Sequence, residues 1–261
     1  MRNILAIVER ELRGYFISPI AYVVLTMFVF LSGLFFRAIL SQVMAMEMVN
    51  SMRSQQFGGG APAPLDMPGM ISRGFLSTMS VILLFMIPMI TMGLFSEEKK
   101  RGTIELLLTA PITDAQVVLG KFFAAASFFV ILLLSTWVPM SVLYIYGDPA
   151  SGPILSGYLG LLLYGFALLA IGMFISTLTE NQIVAAVLSF GTIMVLWLVD
   201  VLANTAESGT REVLTYLSIL SHLDDFMRGI LATSHIIFYL SLMLVALFLT
   251  YRSIDSLRWR G

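Results

Sequence analysis

An all-α integral membrane fold with six transmembrane helices is what this sequence predicts, on three observations. Only 12% of its 261 residues are charged and 58% are hydrophobic, with a mean hydropathy of +0.92, whereas a soluble domain is about a quarter charged. Six windows hold no charged residue: 14–36, 74–96, 122–147, 149–179, 181–199 and 229–251; a spanning helix needs about 20 apolar residues. These runs are also too long and too rich in Leu, Met, Ala and Gly for barrel strands, which alternate over about 10 residues. The spans fall at about 19–40, 74–96, 121–146, 154–178, 183–203 and 232–251. A net charge of −1 gives no footing for nucleic acid, and the absence of cysteine excludes disulfides and thiolate chemistry.

Residues 1–18 read as an amphipathic helix lying in the inner membrane interface. Ile4, Leu5, Val8, Leu12, Tyr15 and Phe16 recur at helical spacing, and Glu9 precedes Arg13 by four residues, a favourable pair. Glu9, Arg10 and Arg13 are its charged residues of interest. Pro19 turns the chain into span one, whose apolar run is too long for a signal-peptide core and is expected to stay.

The first outer segment, 41–73, begins helical and polar and ends in Gly58-Gly59-Gly60-Ala61-Pro62-Ala63-Pro64, a flexible linker composition. Met44, Met48 and Met52 share one helix face. Thioether clusters suit Cu(I), but methionine is a common filler of apolar surfaces and the chain has 17, so packing is the preferred reading and no metal site is expected. Pro88 in span two and Pro139 in span three predict bends, tolerated where neighbours satisfy the freed carbonyl.

Span four carries two small-xxx-small pairs, Ser156 with Gly160 and Gly172 with Ser176, which allow close helix approach within the chain or across a dimer. Thr179–Gln182 is a tight connection. Asp200, near the outer end of span five, is either a functional intramembrane carboxylate or simply hydrated, and hydration is preferred. Segment 204–231 suggests one or two amphipathic helices through Val213, Leu214, Leu217, Leu220 and Leu223. The basic tail 252–260, with Trp259, is an inner-leaflet anchor.

Arginine and lysine set the orientation. Arg2, Arg10, Arg13, Lys99, Lys100, Arg101, Lys121, Arg252, Arg258 and Arg260 fall on one side, against Arg37, Arg53, Arg73, Arg211 and Arg228 on the other. Both termini and the 97–101 island are therefore expected in the cytoplasm. No P-loop, HExxH or GxSxG occurs, and the spans hold no chain of buried ionisable groups of the kind a coupled carrier needs. The expectation is a non-enzymatic passage or lever that carries no cofactor and draws its energy from elsewhere.

The place to receive that energy is the island between spans two and three. Glu97, Glu98, Lys99, Lys100 and Arg101 end span two in water, and Gly102 permits a turn. Thr103 to Leu108 is apolar with a single Glu105, about one and a half helical turns, and Pro111 stops it. Thr113 and Gln116 match a capping box that opens span three. Leu106, Leu107 and Leu108 beside so many charges predict a docking surface within the loop 97–113.

Glu97-Glu98-Lys99-Lys100-Arg101-Gly102-Thr103-Ile104-Glu105-Leu106-Leu107-Leu108-Thr109-Ala110-Pro111-Ile112-Thr113, followed by Val118-Leu119-Gly120-Lys121, resembles the signature loop of ABC-2 type permeases, the membrane subunits of ATP-binding-cassette exporters. Glu9-Arg10-Glu11-Leu12-Arg13-Gly14-Tyr15-Phe16 with Ser18-Pro19 is similar to the connecting helix of the branch linked to gliding motility and nitrous oxide reductase maturation. The resemblance covers the whole chain; the Met/Gly/Pro-rich loop at 41–72 departs from it.

The resemblance implies a bacterial inner-membrane subunit that pairs with a second copy or a paralogue above two ABC ATPase subunits, which hold the ATP and Mg. It implies a coupling helix, Thr103 to Ala110, seated in a groove of each ATPase and steered by Glu97 to Arg101. The apolar lining then favours an amphiphilic or lipid-like cargo. The competing reading is an ATP-driven mechanotransmitter that acts on a periplasmic partner through 41–72 and 204–231 without moving cargo. A copper module and an unrelated scaffold are the remaining readings.

Overall fold

The computed structural model describes residues 2–56, 66–103, 112–205 and 208–258. It is built of helices α1 (Arg2–Ile17), α2 (Pro19–Gln56), α3 (Met67–Thr91), α4 (Ser96–Lys100), α5 (Asp114–Ser135), α6 (Trp137–Gly147), α7 (Ser151–Ser176), α8 (Gln182–Thr205), α9 (Ser208–Leu217), α10 (Ile219–Met227) and α11 (Thr233–Arg258). Six segments are long and apolar enough to cross a membrane: Pro19–Arg53, Met67–Lys100, Asp114–Gly147, Ser151–Ser176, Gln182–Ala203 and Thr233–Ser256.

Burial sorts these spans into two groups. The second, third and fourth are 67–72% buried within the chain, the others 17–22%. Thus α3, α5 and α7 form the centre, while α2, α8 and α11 expose most of their apolar surface. The core closes around Phe28, Phe75, Phe128, Phe129, Tyr164 and Leu168, all essentially inaccessible. α7 is the hub: it touches α3, α5, α8, α10 and α11.

Its small residues explain the closeness. A Cβ added at Gly160 would lie 2.6 Å from Phe226 Cβ, and one at Gly172 would strike Thr91. Ser156 Oγ donates to the Phe226 carbonyl at 2.7 Å. Both small-xxx-small pairs therefore serve packing inside the chain.

The structure adds to the sequence reading at the outer extension of span one and at the two prolines, and corrects it at Asp200. The polar stretch after residue 40 continues α2 as unbroken helix to Gln56. Its Ala, Met, Leu, Gln and Ser are adequate helix formers and no glycine or proline intervenes, so loss of hydrophobicity ends the membrane segment without ending the helix. At 38 residues the helix is roughly 57 Å long, against a hydrocarbon core of about 30 Å. Met44, Met48 and Met52 stand exposed on its extension, 55–61% accessible.

The third span is divided at Thr136. Pro139 has no N–H and its ring crowds the carbonyl of Ser135, four residues back; the Thr136 N–H turns instead to Leu133 and Leu134. Pro88 is absorbed within α3, which ends three residues later in a turn at Met92–Phe95 before α4 begins. Asp200 is not simply hydrated: it accepts a 2.7 Å hydrogen bond from Ser218 Oγ, a fully buried hydroxyl that also caps α10.

The two ends of the bundle are distinct. α4 meets the C-terminal end of α7, and Ser253 of α11 bonds Thr177 there at 2.8 Å. α1 joins the same end through Glu11 and Lys121. α10 packs on the opposite half of α7. Both terminal helices and α4 thus share one charged end, and α9 and α10 occupy the far end.

Candidate functional site: the charged node under the coupling loop

α1 lies against α5. Its inward positions are Ile4, Ile7, Val8, Glu11, Leu12 and Tyr15, a stripe of helical spacing. Ile7, outside the expected apolar set, is the most buried of them. It sits where a Gly120 Cβ would stand, 2.7 Å from its Cγ2, so Gly120 lets the helices meet. Tyr15 stacks on Phe128 at 5.4 Å between ring centroids. Leu5, Phe16 and Ile17 remain exposed. On the outward side Arg13 and Glu9 form the expected pair at 2.5 Å.

Lys121 is the centre of the node. It enters α5 eight positions after a complete capping box, in which Gln116 N–H donates to Thr113 Oγ1 and Thr113 N–H to Gln116 Oε1, each at 3.3 Å. The side chain is 1% exposed. A buried ammonium requires partners, and it has two carboxylates: Glu98 Oε1 of α4 at 2.9 Å and Glu11 Oε1 of α1 at 3.2 Å. Nζ also lies 5.3 Å from the centre of the Phe95 ring. Arg10 closes the ring of charge, 2.6 Å from Glu11 and 3.5 Å from Glu98. Burial alone would raise the Glu11 pKa, but Lys121 and Arg10 outweigh it and hold the carboxyl below its ordinary value.

α4 is fastened separately to α7. Ser176 Oγ accepts from the backbone N–H of Phe95 at 3.0 Å and of Ser96 at 3.1 Å. It thereby satisfies donors that a helix start leaves open, and it donates onward to the Met92 carbonyl. Lys99 Nζ donates to the Thr177 carbonyl. Glu97 pairs with Arg101 one turn along.

The island residues therefore divide. Glu98 and Lys99 bond inward, to Lys121 and to α7. Lys100, Arg101, Gly102 and Thr103 are exposed, and Gly102 takes φ +67°, a left-handed turn that glycine adopts without strain. Glu105, Leu106, Leu107 and Leu108 lie outside the described residues.

Beside the node a cavity of about 690 Å³ opens between α1, the start of α2 and the end of α3. One wall carries Arg10, Glu11, Glu98 and Lys121; the other carries Ile17, Ile20, Val24 and Ile90. Glu98 Oε2 is buried there without a hydrogen-bond partner.

The arrangement offers no nucleophile with its base, and no three His, Asp or Glu converge as metal ligands among the described residues. The chain leaving α4 at Arg101 is coupled by ion pairs to α1 and α5, and by hydrogen bonds to α7.

Sequence reasoning found Glu98 and Arg10 but missed Glu11, Lys121 and Ser176 as their fasteners. The available signal was Lys121 itself, a lone cation in the apolar opening turns of a long helix.

Comparison with known proteins agrees with this architecture. The family model of ABC-2 family transporter proteins matches residues 5–255. The probable multidrug ABC transporter permease YbhR of Escherichia coli, from strain K12 and from O157:H7, is 26% identical over 137 residues. Those residues are 52% of this chain and 37% of that permease's length. On the match across nearly its whole length, this multi-pass membrane chain belongs to the ABC-2 family of transporter proteins.

Proposed function

We propose that the chain is the permease subunit of an ABC exporter. A separate ATPase, which holds ATP and Mg, docks on the loop 97–113 and drives an amphiphilic or lipid-like substrate outward. A second copy or a paralogue completes the pathway. The chain sits in a bacterial inner membrane with both termini and α4 in the cytoplasm, and the resemblance of Glu9 to Phe16 to the connecting helix of the gliding-motility and nitrous-oxide-reductase-maturation branch supports assigning it there.

The observation that carries this reading is the node. A force applied beyond Thr103 meets α4, and α4 is tied by Glu98 to Lys121 and by Ser176 and Lys99 to the hub helix. Lys100 and Arg101 remain outward to meet the ATPase, and Leu106 and Leu107 are the apolar contacts we assign to it. A mild-detergent pull-down with mass spectrometry tests the assignment. The chain should carry an ABC ATPase, and Leu106→Asp with Leu107→Asp should release it while the chain stays inserted. Retention of the ATPase by the double variant, or its absence even after crosslinking in the native membrane, would overturn the proposal.

One observation favours a second reading, that of a mechanotransmitter without cargo. α2 continues about 16 residues past the expected end of its span and presents exposed Met44, Met48, Val49 and Met52, a surface suited to a periplasmic partner. Crosslinks from Met48 to such a partner, with no lipid or drug co-purifying, would select it.

A further inference from the structure

At the far end the only two histidines of the chain meet. His222 of α10 and His235 of α11 approach Nδ1 to Nδ1 at 2.6 Å. Each remote nitrogen faces an acceptor: His222 Nε2 lies 3.0 Å from the Tyr216 carbonyl, and His235 Nε2 lies 2.9 Å from Asp225 Oδ2. His222 is buried against the rings of Phe238 and Tyr239. An open cavity of about 740 Å³, lined by Arg211, Glu212, Thr215 and Ser221, reaches the pair.

Counting protons decides what holds the rings together. A carbonyl and a carboxylate only accept, so both Nε2 atoms carry hydrogen. A neutral imidazole has one N–H. Were both rings neutral, two bare lone pairs would face each other at 2.6 Å. The contact is a hydrogen bond only when one Nδ1 is protonated too, so the two rings together hold three protons and one positive charge. His235 is the ring whose Nε2 bonds a carboxylate, Asp225, so the positive charge is better placed there than on His222, which faces only the Tyr216 carbonyl.

A transition metal fits less well. Two metal–nitrogen bonds of about 2.0–2.1 Å in a tetrahedral site set their nitrogens more than about 3 Å apart.

We propose that His222, His235 and Asp225 form a one-proton clasp that fastens α10 to the start of α11 and opens when a second proton arrives. The second proton turns both Nδ1 atoms into donors aimed at each other, and the rings must part. Asp225 is the one ionisable group bonded to the rings among the described residues. Glu212 and Arg211 of α9 line the cavity without bonding either ring. Asp224 pairs with Arg228, Asp200 of α8 is bound to Ser218, and the Tyr239 hydroxyl donates to the Ile219 carbonyl with Tyr164 of α7 behind it. The clasp stands whichever way the chain is inserted, and with the orientation proposed above an acidic exterior opens it.

With two histidines, the full-length chain labelled with ¹⁵N-histidine in lipid nanodiscs gives a spectrum of two rings. At neutral pH it should show three protonated nitrogens and one bare one, and acidification should protonate the fourth. A spin label at Leu231→Cys, on the exposed link between α10 and α11, should gain mobility over the same pH step, and His235→Gln should abolish that step. Two bare nitrogens at neutral pH would overturn the clasp. So would a label that ignores acidification, or stoichiometric zinc chloride displacing the shared proton, which would make the pair a metal site.

Discussion

Replacing Lys121 with methionine keeps the length of the side chain and removes the charge that joins α1, α4 and α5. Glu11 and Glu98 then face each other across an apolar chain. Removing one partner of a fully buried ion pair costs about 3–5 kcal/mol. Here the carboxylates keep 18% and 19% of their side-chain exposure, and Arg10 stays beside Glu11, so hydration and the guanidinium recover part of the loss. The expected cost is about 2–3 kcal/mol, scaled down from that buried-pair range. It appears as a roughly 30- to 150-fold rise in the local opening of α1 at about 1.4 kcal/mol per decade.

The chain has no cysteine, so Ile7→Cys places a single buried thiol at the α1–α5 contact. Its maleimide labelling rate in native membranes reads that opening. Lys121→Met in this background should speed labelling by that factor, and adding Glu98→Gln should reverse part of it by removing the like charge. Added salt should change the parent rate little, since buried pairs are weakly screened. Equal labelling with and without Lys121→Met would refute the claim that this lysine holds α1 to the bundle. Failure of Glu98→Gln to slow the double variant would show that the damage is not electrostatic.

Gly160→Ala forces a methyl group against Phe226 Cβ; overpacking of this kind costs about 1–3 kcal/mol and should lower the thermal midpoint of the detergent-solubilised chain. Ser176→Ala orphans the Phe95 and Ser96 N–H groups, a loss of about 1–3 kcal/mol that hydrogen exchange should report as faster exchange at the start of α4. The Glu11 carboxyl is held below its ordinary value of about 4.5 by Lys121 and Arg10. Its contribution to α1 docking is therefore full above about pH 4.5 and is lost as pH falls through the lower folded value. Divided at each pH by the labelling rate of free cysteine, which removes the thiol's own titration, the Ile7→Cys rate should be flat near neutral pH and rise only in strong acid, and Glu11→Gln should remove that rise.

Local features of this structure were legible because their partners are neighbours in sequence. The capping box at Thr113 and Gln116 and the Glu9–Arg13 pair follow from spacings of three and four on a helix, and both form as expected. The small residues of α7 were legible as close contacts, but not what they touch, because Gly160 meets Phe226 and Gly172 meets Thr91, each on a distant segment. The node was half legible for the same reason. Glu98 and Lys99 looked like parts of a solvated charge run, and only folding brings Lys121 to Glu11, 110 positions away. The helical start of the segment after residue 40 was legible, but not that it would continue α2 without a break to Gln56, because hydropathy reports where lipid ends while helix continuity depends on the absence of breakers.

The packing also says which elements can carry a displacement from one end to the other. α3 gives way to a turn at Met92–Phe95, and the third span is divided at Thr136. Both central neighbours of the hub therefore contain a joint. α7 contains none: it runs unbroken from Ser151 to Ser176, roughly 39 Å at 1.5 Å per residue. Its C-terminal end holds α4 through Ser176 and the Thr177 carbonyl, and its N-terminal half holds α10 through Ser156 and the Gly160 notch. A displacement imposed on α4 would thus travel along α7 as along a rod, while α3 and the α5–α6 span yield at their joints. It would arrive at α10, which is also attached to α8 by the Ser218–Asp200 bond and to α11 by the histidine pair and the Tyr239–Ile219 bond. α8 and α11 are among the least buried spans, and α11 packs chiefly along α7 itself. Motion entering at the charged node would be passed at the far end to these two helices, through the hydrogen-bonded contacts that join them to α10.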